Sequence, residues 1–206
     1  SDRGKNWSMS HTLNIANILT EHDTVLQLVR KDAKLLQNLE IFTNKVIECY
    51  NLDGKILLCG NGGSASDAQH IAAEWQGRYL LDRRPLHAEA LHANTSYITA
   101  VANDYGFEHI YSRAVEAQGR KNDILIGLST SGNSPNIVTA LAQGRKNGMY
   151  CIGMTGNKKD TKMAEFCDLM IAVPSSVTAR IQEMHILIGH IVCELSEQKL
   201  FGESIS

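Results

Sequence analysis

Asp123-Ile124-Leu125-Ile126-Gly127-Leu128-Ser129-Thr130-Ser131-Gly132-Asn133-Ser134-Pro135 decides the fold of this chain. Its first half is an unbroken apolar run, too short for a buried helix and suited to a strand covered on both faces. Its second half crowds four hydroxyls, from Ser129, Thr130, Ser131 and Ser134, into one turn. Ser134 suits a helix cap, and Pro135 suits a first helical position, where no N–H is needed. The stretch therefore reads as strand, polar turn, helix.

The same grammar recurs on either side. Lys55-Ile56-Leu57-Leu58-Cys59 is a short apolar run that ends in the glycine-rich turn Gly60-Asn61-Gly62-Gly63. A helix is predicted after it, from about Ser66 to Trp75. Tyr150 to Thr155 predicts another strand and turn, and Asp168 to Val173 a last strand. A further strand is predicted near Leu86 to Ala90. Val177 to about Lys199 reads as a long final helix, and the helix after Pro135 should run through Asn147. Ahead of the first strand, Leu35, Leu39, Phe42, Val46 and Ile47 repeat at helical spacing. A break near Glu21-His22-Asp23 suggests two helices there, and Asn51-Leu52-Asp53-Gly54 is a stop signal. Apolar strands alternating with helices mean an α/β fold, with a five-stranded parallel sheet flanked by helices and preceded by N-terminal helices. Ligands of such sheets bind at the carboxyl ends of the strands, near a switch point in strand order. Both polar turns belong on that edge.

Bulk properties narrow the function. The chain has 206 residues, 43% hydrophobic and 20% charged, with a formal net charge of −2. That is a single globular domain with no bias towards nucleic acid or an anionic membrane. No apolar run approaches the ~20 residues of a membrane span. Ser1 to Ser8 read as a non-native stretch before a native Met9, so 1–9 is expected to be a disordered start, leaving 10–206 as one domain. Five scattered cysteines (Cys49, Cys59, Cys151, Cys167, Cys193) argue against a disulfide framework and fit a reducing cytoplasm. Asp82-Arg83-Arg84-Pro85 reads as a charged surface loop. His11, His22, His87, His92, His109 and His185 read as surface or packing residues.

The serine turn suits a phosphate monoester. A helix start offers unpaired N–H groups and a positive dipole, and hydroxyls add donors without fixed charge. The glycine turn formally fits a G-x-G-x-x-A dinucleotide fingerprint, with Glu89 as the late acidic partner; a second hydroxyl cradle has no place in such a site. The absence of a Lys after the glycines excludes a P-loop. His70 and Glu74, four apart on one predicted helix, share a face. They could serve one ion or one substrate, although such pairs are also common on solvated faces.

Gly60-Asn61-Gly62-Gly63-Ser64, Asn103-Asp104-Tyr105-Gly106-Phe107, Ser129-Thr130-Ser131-Gly132-Asn133-Ser134 and Arg180-Ile181-Gln182-Glu183, together with His70, Glu74 and His190, resemble the phosphoheptose isomerases of the sugar-isomerase (SIS) domain superfamily. The likeness covers nearly everything after about Ser10. It implies an SIS-type, flavodoxin-like three-layer sandwich. It also implies an aldose–ketose isomerase that converts sedoheptulose 7-phosphate to D-glycero-D-manno-heptose 7-phosphate through an enediol, for bacterial heptose synthesis. The implied substrate contacts are Asn61, Gly62, Gly63, Glu74, Asn103, Asp104, Ser129, Thr130, Ser131, Ser134 and Gln182, with Ser64 added on its hydroxyl and its place in the turn. The implied ligands of one zinc per subunit are His70, Glu74, Gln182 and His190. The family's homotetramers, with sites at subunit interfaces, are implied as well.

Isomerisation needs a base over C1 and C2 and an acid near the oxygens. Glu74 is expected to move the carbon-bound proton and His190 to act on the oxygen side. A Glu74 bound to zinc is a poor base unless its carboxylate swings off. On a straight helix Gln182 and His190 are ~12 Å and ~80° apart, so both would have to extend, or one ligand would come from a neighbouring subunit. Glu183 could support His190 or join an ion pair, and the ion pair is the preferred reading. Many family members carry an Asp three before the glutamine, where this chain has Ala179. Either that acid is dispensable, or Asp104 supplies the charge, or the mechanism differs. The rival reading is a non-enzymatic SIS tetramer of the DnaA initiator-associating type, which shares Ala before Arg-Ile-Gln but lacks the Glu74 carboxylate and the His190 imidazole. A sugar-phosphate-sensing module of a regulator is a third, weakened by the absence of a fused DNA-binding helix pair.

Overall fold

A computed structural model describes residues 14–158 and 160–202; the reading of 1–9 as a non-native start lies outside the described residues. Two helices, α1 (Ile15–Lys31) and α2 (Ala33–Asn51), precede β1 (Ile56–Cys59). The order continues α3 (Gly63–Gln76), β2 (Ala88–Ala90), α4 (Thr95–Tyr105), α5 (Ile110–Gln118), β3 (Ile124–Leu128), α6 (Pro135–Lys146), β4 (Tyr150–Thr155), β5 (Leu169–Ala172) and α7 (Thr178–Phe201). The strands are all parallel in the order β2-β1-β3-β4-β5. This bears out the five-stranded, doubly wound sheet. The order reverses between β1 and β3, so the turns after those two strands flank the switch point.

Alternation along the strands builds two cores. Ile56, Leu58, Ile124, Ile126 and Ile152 face α2, α3 and α7. Leu57, Cys59, Leu125 and Cys151 face α4, α5 and α6. Both faces are covered, which is why the strands lack polar alternation.

The helix break is not at Glu21-His22-Asp23, through which α1 runs unbroken. It falls at Asp32, whose side chain accepts from Leu35 N and starts α2. α4 and α5 were not among the expected elements; Asn94, accepting from Tyr97 N, is the cap that announces α4.

The Arg83 side chain is 2% exposed and is ion-paired at 2.9 Å with Glu197, 1% exposed. The surface-loop reading of 82–85 therefore fails at its centre: a buried carboxylate on α7 draws the arginine inward. His185 is fully buried, with Nε2 3.1 Å from the Thr155 carbonyl oxygen. Burial lowers its pKa to about 4. It is a packing residue, as expected.

α3 and α7 run side by side in the same direction. Gly63 lies against Gln182, Ile71 against Gly189, and Trp75 Nε1 donates to Ser196 Oγ at 3.4 Å. A β-carbon at Gly189 would stand 2.5 Å from Ile71 Cδ1. Glycine there allows the two helices to close up at the level of His70 and His190.

Candidate active site

The anion cradle forms where the first two polar turns meet. Ser129 Oγ lies 3.0 Å from Ser134 Oγ and 3.4 Å from Ser131 Oγ. Ser134 occupies the N-cap position of α6, with Pro135 next, yet its side chain makes no capping bond. The expected cap is thus corrected. The hydroxyl turns into the serine cluster, which leaves the first N–H groups of α6 without a side-chain partner. Gly62, at φ +54°, places nothing within 4 Å of where a β-carbon would be, so the glycine turn stays open above the switch point. Ser64 is buried in the first turn of α3. Glu89 lies mid-strand, opposite Leu57, away from the strand end where a dinucleotide site needs its acid.

Sequence reasoning missed the bolt between the two turns. Asn61 and Asn136 exchange two amide hydrogen bonds, at 2.9 and 2.8 Å. Tyr111 OH donates to the Gly60 carbonyl. Asn136, directly after Pro135 and 2% exposed, is a buried amide at the start of a helix; such a group demands a partner, and that was the available signal.

The second group lies on the outer seam of α3 and α7. His70 Nε2 is 3.0 Å from Glu74 Oε1 and 3.3 Å from His190 Nε2. The three donor atoms all lie within 4.8 Å of one another. The rings of His70 and His190 meet edge to face at 4.9 Å, and the Tyr79 ring lies 5.7 Å from that of His190. Two nitrogens bound at ~2.0–2.1 Å to one tetrahedral centre would be ~3.3 Å apart, so the donor set and spacing fit a zinc-sized ion.

Gln182 does not join this trio within the chain. Its amide sits against Gly63, seven residues and ~10 Å along α3 from His70. It stands instead at the glycine turn, against the first residue of α3. Asn103 and Asp104 hydrogen-bond to each other at 2.8 Å and are exposed; no bond joins them to either group. Thr130 and Ser131 also edge a small recess with Lys158, Ser175 and Thr178. Glu183 takes the ion-pair role. It receives Arg180 through Nε at 2.7 Å and Nη2, and His22 Nδ1 at 2.8 Å. The Arg180 hydrogen bonds hold its carboxyl below the usual range.

A five-stranded parallel sheet with a hydroxyl cradle at its switch point defines the class, and residues 22–156 match the SIS domain family model. The comparisons then narrow it. The chain is 47% identical over 189 residues to the phosphoheptose isomerase of Burkholderia pseudomallei (strain 1710b), covering 92% of this chain and 95% of that one. It is 57% identical over 147 residues to that of Rhodospirillum rubrum, covering 71% and 78%. The solved phosphoheptose isomerase of Neisseria gonorrhoeae superposes with a TM-score of 0.83 at 40% identity, covering 90% of this chain and 97% of that one. The chain belongs to the phosphoheptose isomerase family of SIS domain proteins.

Proposed function

We propose that this protein is an aldose–ketose isomerase that converts sedoheptulose 7-phosphate to D-glycero-D-manno-heptose 7-phosphate, serving bacterial heptose synthesis. The observation that carries the reading is the convergence of His70, Glu74 and His190 from two helices, with His70 two turns along α3 from the glycine turn that Asn61 and Asn136 bolt to the start of α6 beside the hydroxyl cluster. Family membership supports the same substrate.

The phosphate rests on Ser129, Thr130, Ser131 and Ser134 and on the N–H groups of the Asn61–Ser64 turn and of α6. Gln182 and the Asn103–Asp104 pair bind sugar hydroxyls. Glu74 removes a proton from C1 of the ketose while His190 delivers one to the C2 oxygen, giving the enediol. Glu74 then returns its proton to C2 and the O1 proton leaves to His190, giving the aldose. His70, Glu74 and His190 would hold the zinc, with Gln182 as a further ligand only if it reaches the trio. Bound there, the ion supplies positive charge that stabilises an oxyanion. Glu74 and His190 exchange protons only through atoms free of the ion, so ligation and proton transfer would alternate at those two residues.

The working unit is a homotetramer with sites at subunit interfaces. Ile15, Ile18 and Leu19 expose an apolar face on α1, which supports a partner there. Asn103 and Asp104, exposed and unattached to the trio, suit a neighbouring copy's site. The five free cysteines support a cytoplasmic protein.

Purified protein incubated with sedoheptulose 7-phosphate, with and without chelator, tests the reading by following aldose formation. Absence of turnover in both metal states, together with tight binding to the DnaA initiator, would reverse it.

A further inference from the structure

A buried ion pair, Arg83 with Glu197, holds the C-terminal end of α3. Arg83 donates through Nη2 to the Glu74 carbonyl at 2.9 Å, and through Nη1 to the carbonyls of Trp75 at 2.8 Å and Gly77 at 3.3 Å. Glu74 and Trp75 lie in the last turn of α3, whose carbonyls have no partner within the helix, and Gly77 is its C-cap; Leu86 N also donates to the Trp75 carbonyl, at 3.1 Å. α3 has no basic residue of its own in that turn. The guanidinium Nε meets Glu197 Oε1 at 2.9 Å. The Glu197 carboxylate in turn accepts three consecutive backbone N–H groups, from Tyr79 at 3.0 Å, Leu80 at 2.7 Å and Leu81 at 2.9 Å. Burial pushes the carboxyl of Glu197 up, but those N–H groups and Arg83 together hold it below its usual range. Tyr79, the first of the three residues, places its ring against His190.

One interior carboxylate thus ties together the main chain of Glu74, the ring that flanks His190 and the C-terminal half of α7. The planar fork of Arg matters, because it satisfies several acceptors in one plane. We infer that Arg83 and Glu197 form a positioning brace, which sets Glu74 through its backbone carbonyl and His190 through Tyr79. The inference rests on the isomerase reading for its activity readout and on the geometry of the trio for its metal readout.

The test uses the full chain in its native assembly. Arg83→Lys keeps the charge beside Glu197 but cannot reach Glu197 and the α3 carbonyls together. The double substitution Arg83→Met/Glu197→Leu removes both charges and refills the volume. Tyr79→Leu leaves the brace whole and removes the ring. Each is measured for thermal midpoint, for kcat and KM on sedoheptulose 7-phosphate, and for zinc affinity of the stripped protein by competition with a chromophoric chelator. In all three, kcat and zinc affinity should each fall about 10–100-fold, with KM within about threefold of the parent. The loss should persist in the double variant even where its thermal midpoint returns to the parent value.

Recovery of kcat and zinc affinity along with the thermal midpoint would show the pair to be only structural. So would parental values of both in Tyr79→Leu and in folded Arg83→Lys. A parent protein without turnover refutes the isomerase assignment and leaves zinc affinity to decide on the brace. A parent lacking both turnover and zinc binding overturns the inference.

Discussion

His70 and His190 are 120 residues apart in sequence, yet their Nε2 atoms lie 3.3 Å apart across the seam of α3 and α7. Their chain neighbours Ile71 and Gly189 pack so tightly that a β-carbon at Gly189 would stand 2.5 Å from Ile71 Cδ1. Gly189→Ala should therefore spread the helices at the level of the trio. The expected cost is about 1–3 kcal/mol from overpacking, with a fall in kcat larger than any rise in KM. Denaturant unfolding and steady-state kinetics check both.

Glu74→Gln should lower kcat by about 10²–10⁴-fold, the range for losing a positioned proton-transfer group. The assembly state by light scattering should be unchanged, since the carboxamide keeps the size and shape of the carboxylate. A variant with near-parental turnover removes Glu74 from the chemistry.

Ser134→Ala separates cradle from cap. A capping serine replaced by alanine costs about 1 kcal/mol. The Ser134 hydroxyl bonds Ser129 instead, so stability should fall by less than that. KM for the phosphorylated sugar should rise about tenfold, the loss of roughly one hydrogen bond to a charged group. Inorganic phosphate should weaken in parallel as a competitive inhibitor.

Asn136→Ala breaks the reciprocal amide pair and strands the amide of Asn61. The expected destabilisation is about 1–3 kcal/mol, the cost of unpaired polar groups. The KM effect should resemble that of Ser134→Ala, because both act on the same pair of turns.

His185 makes stability depend on acid. Its pKa is lowered from 6.5 to about 4 on folding, because burial disfavours the imidazolium. Between those values the unfolded chain binds more protons than the folded one, so stability falls as pH drops from about 6.5 towards 4. His185→Gln, which can keep a donor near Thr155 O, should flatten that part of the profile. Urea denaturation at pH 7.5 and pH 5 compares the two slopes; equal slopes would rule out His185 as the source.

The strands were legible because burial on both faces leaves a continuous apolar run, as in Ile124–Leu128, and β4 falls on Tyr150–Thr155 as expected. The cradle was legible for a similar reason: hydroxyls next to a strand end and a helix start are local in sequence. α4 and α5 were harder to see, because Thr95–Tyr105 mixes Thr, Ile, Val and Asn without a clean apolar stripe, and its cap at Asn94 is a short-range signal.

Sequence by itself determined the α/β alternation, the two polar turns on one sheet edge and the shared face of His70 and Glu74, since each depends on residues close together along the chain. Only the tertiary structure decided that His190 meets that pair, that Gln182 stays with Gly63, and that Arg83 goes inward to Glu197. Those depend on how two helices 120 residues apart in sequence dock side by side, and that docking is set by packing volume at Gly189 and by the need of a buried carboxylate for donors.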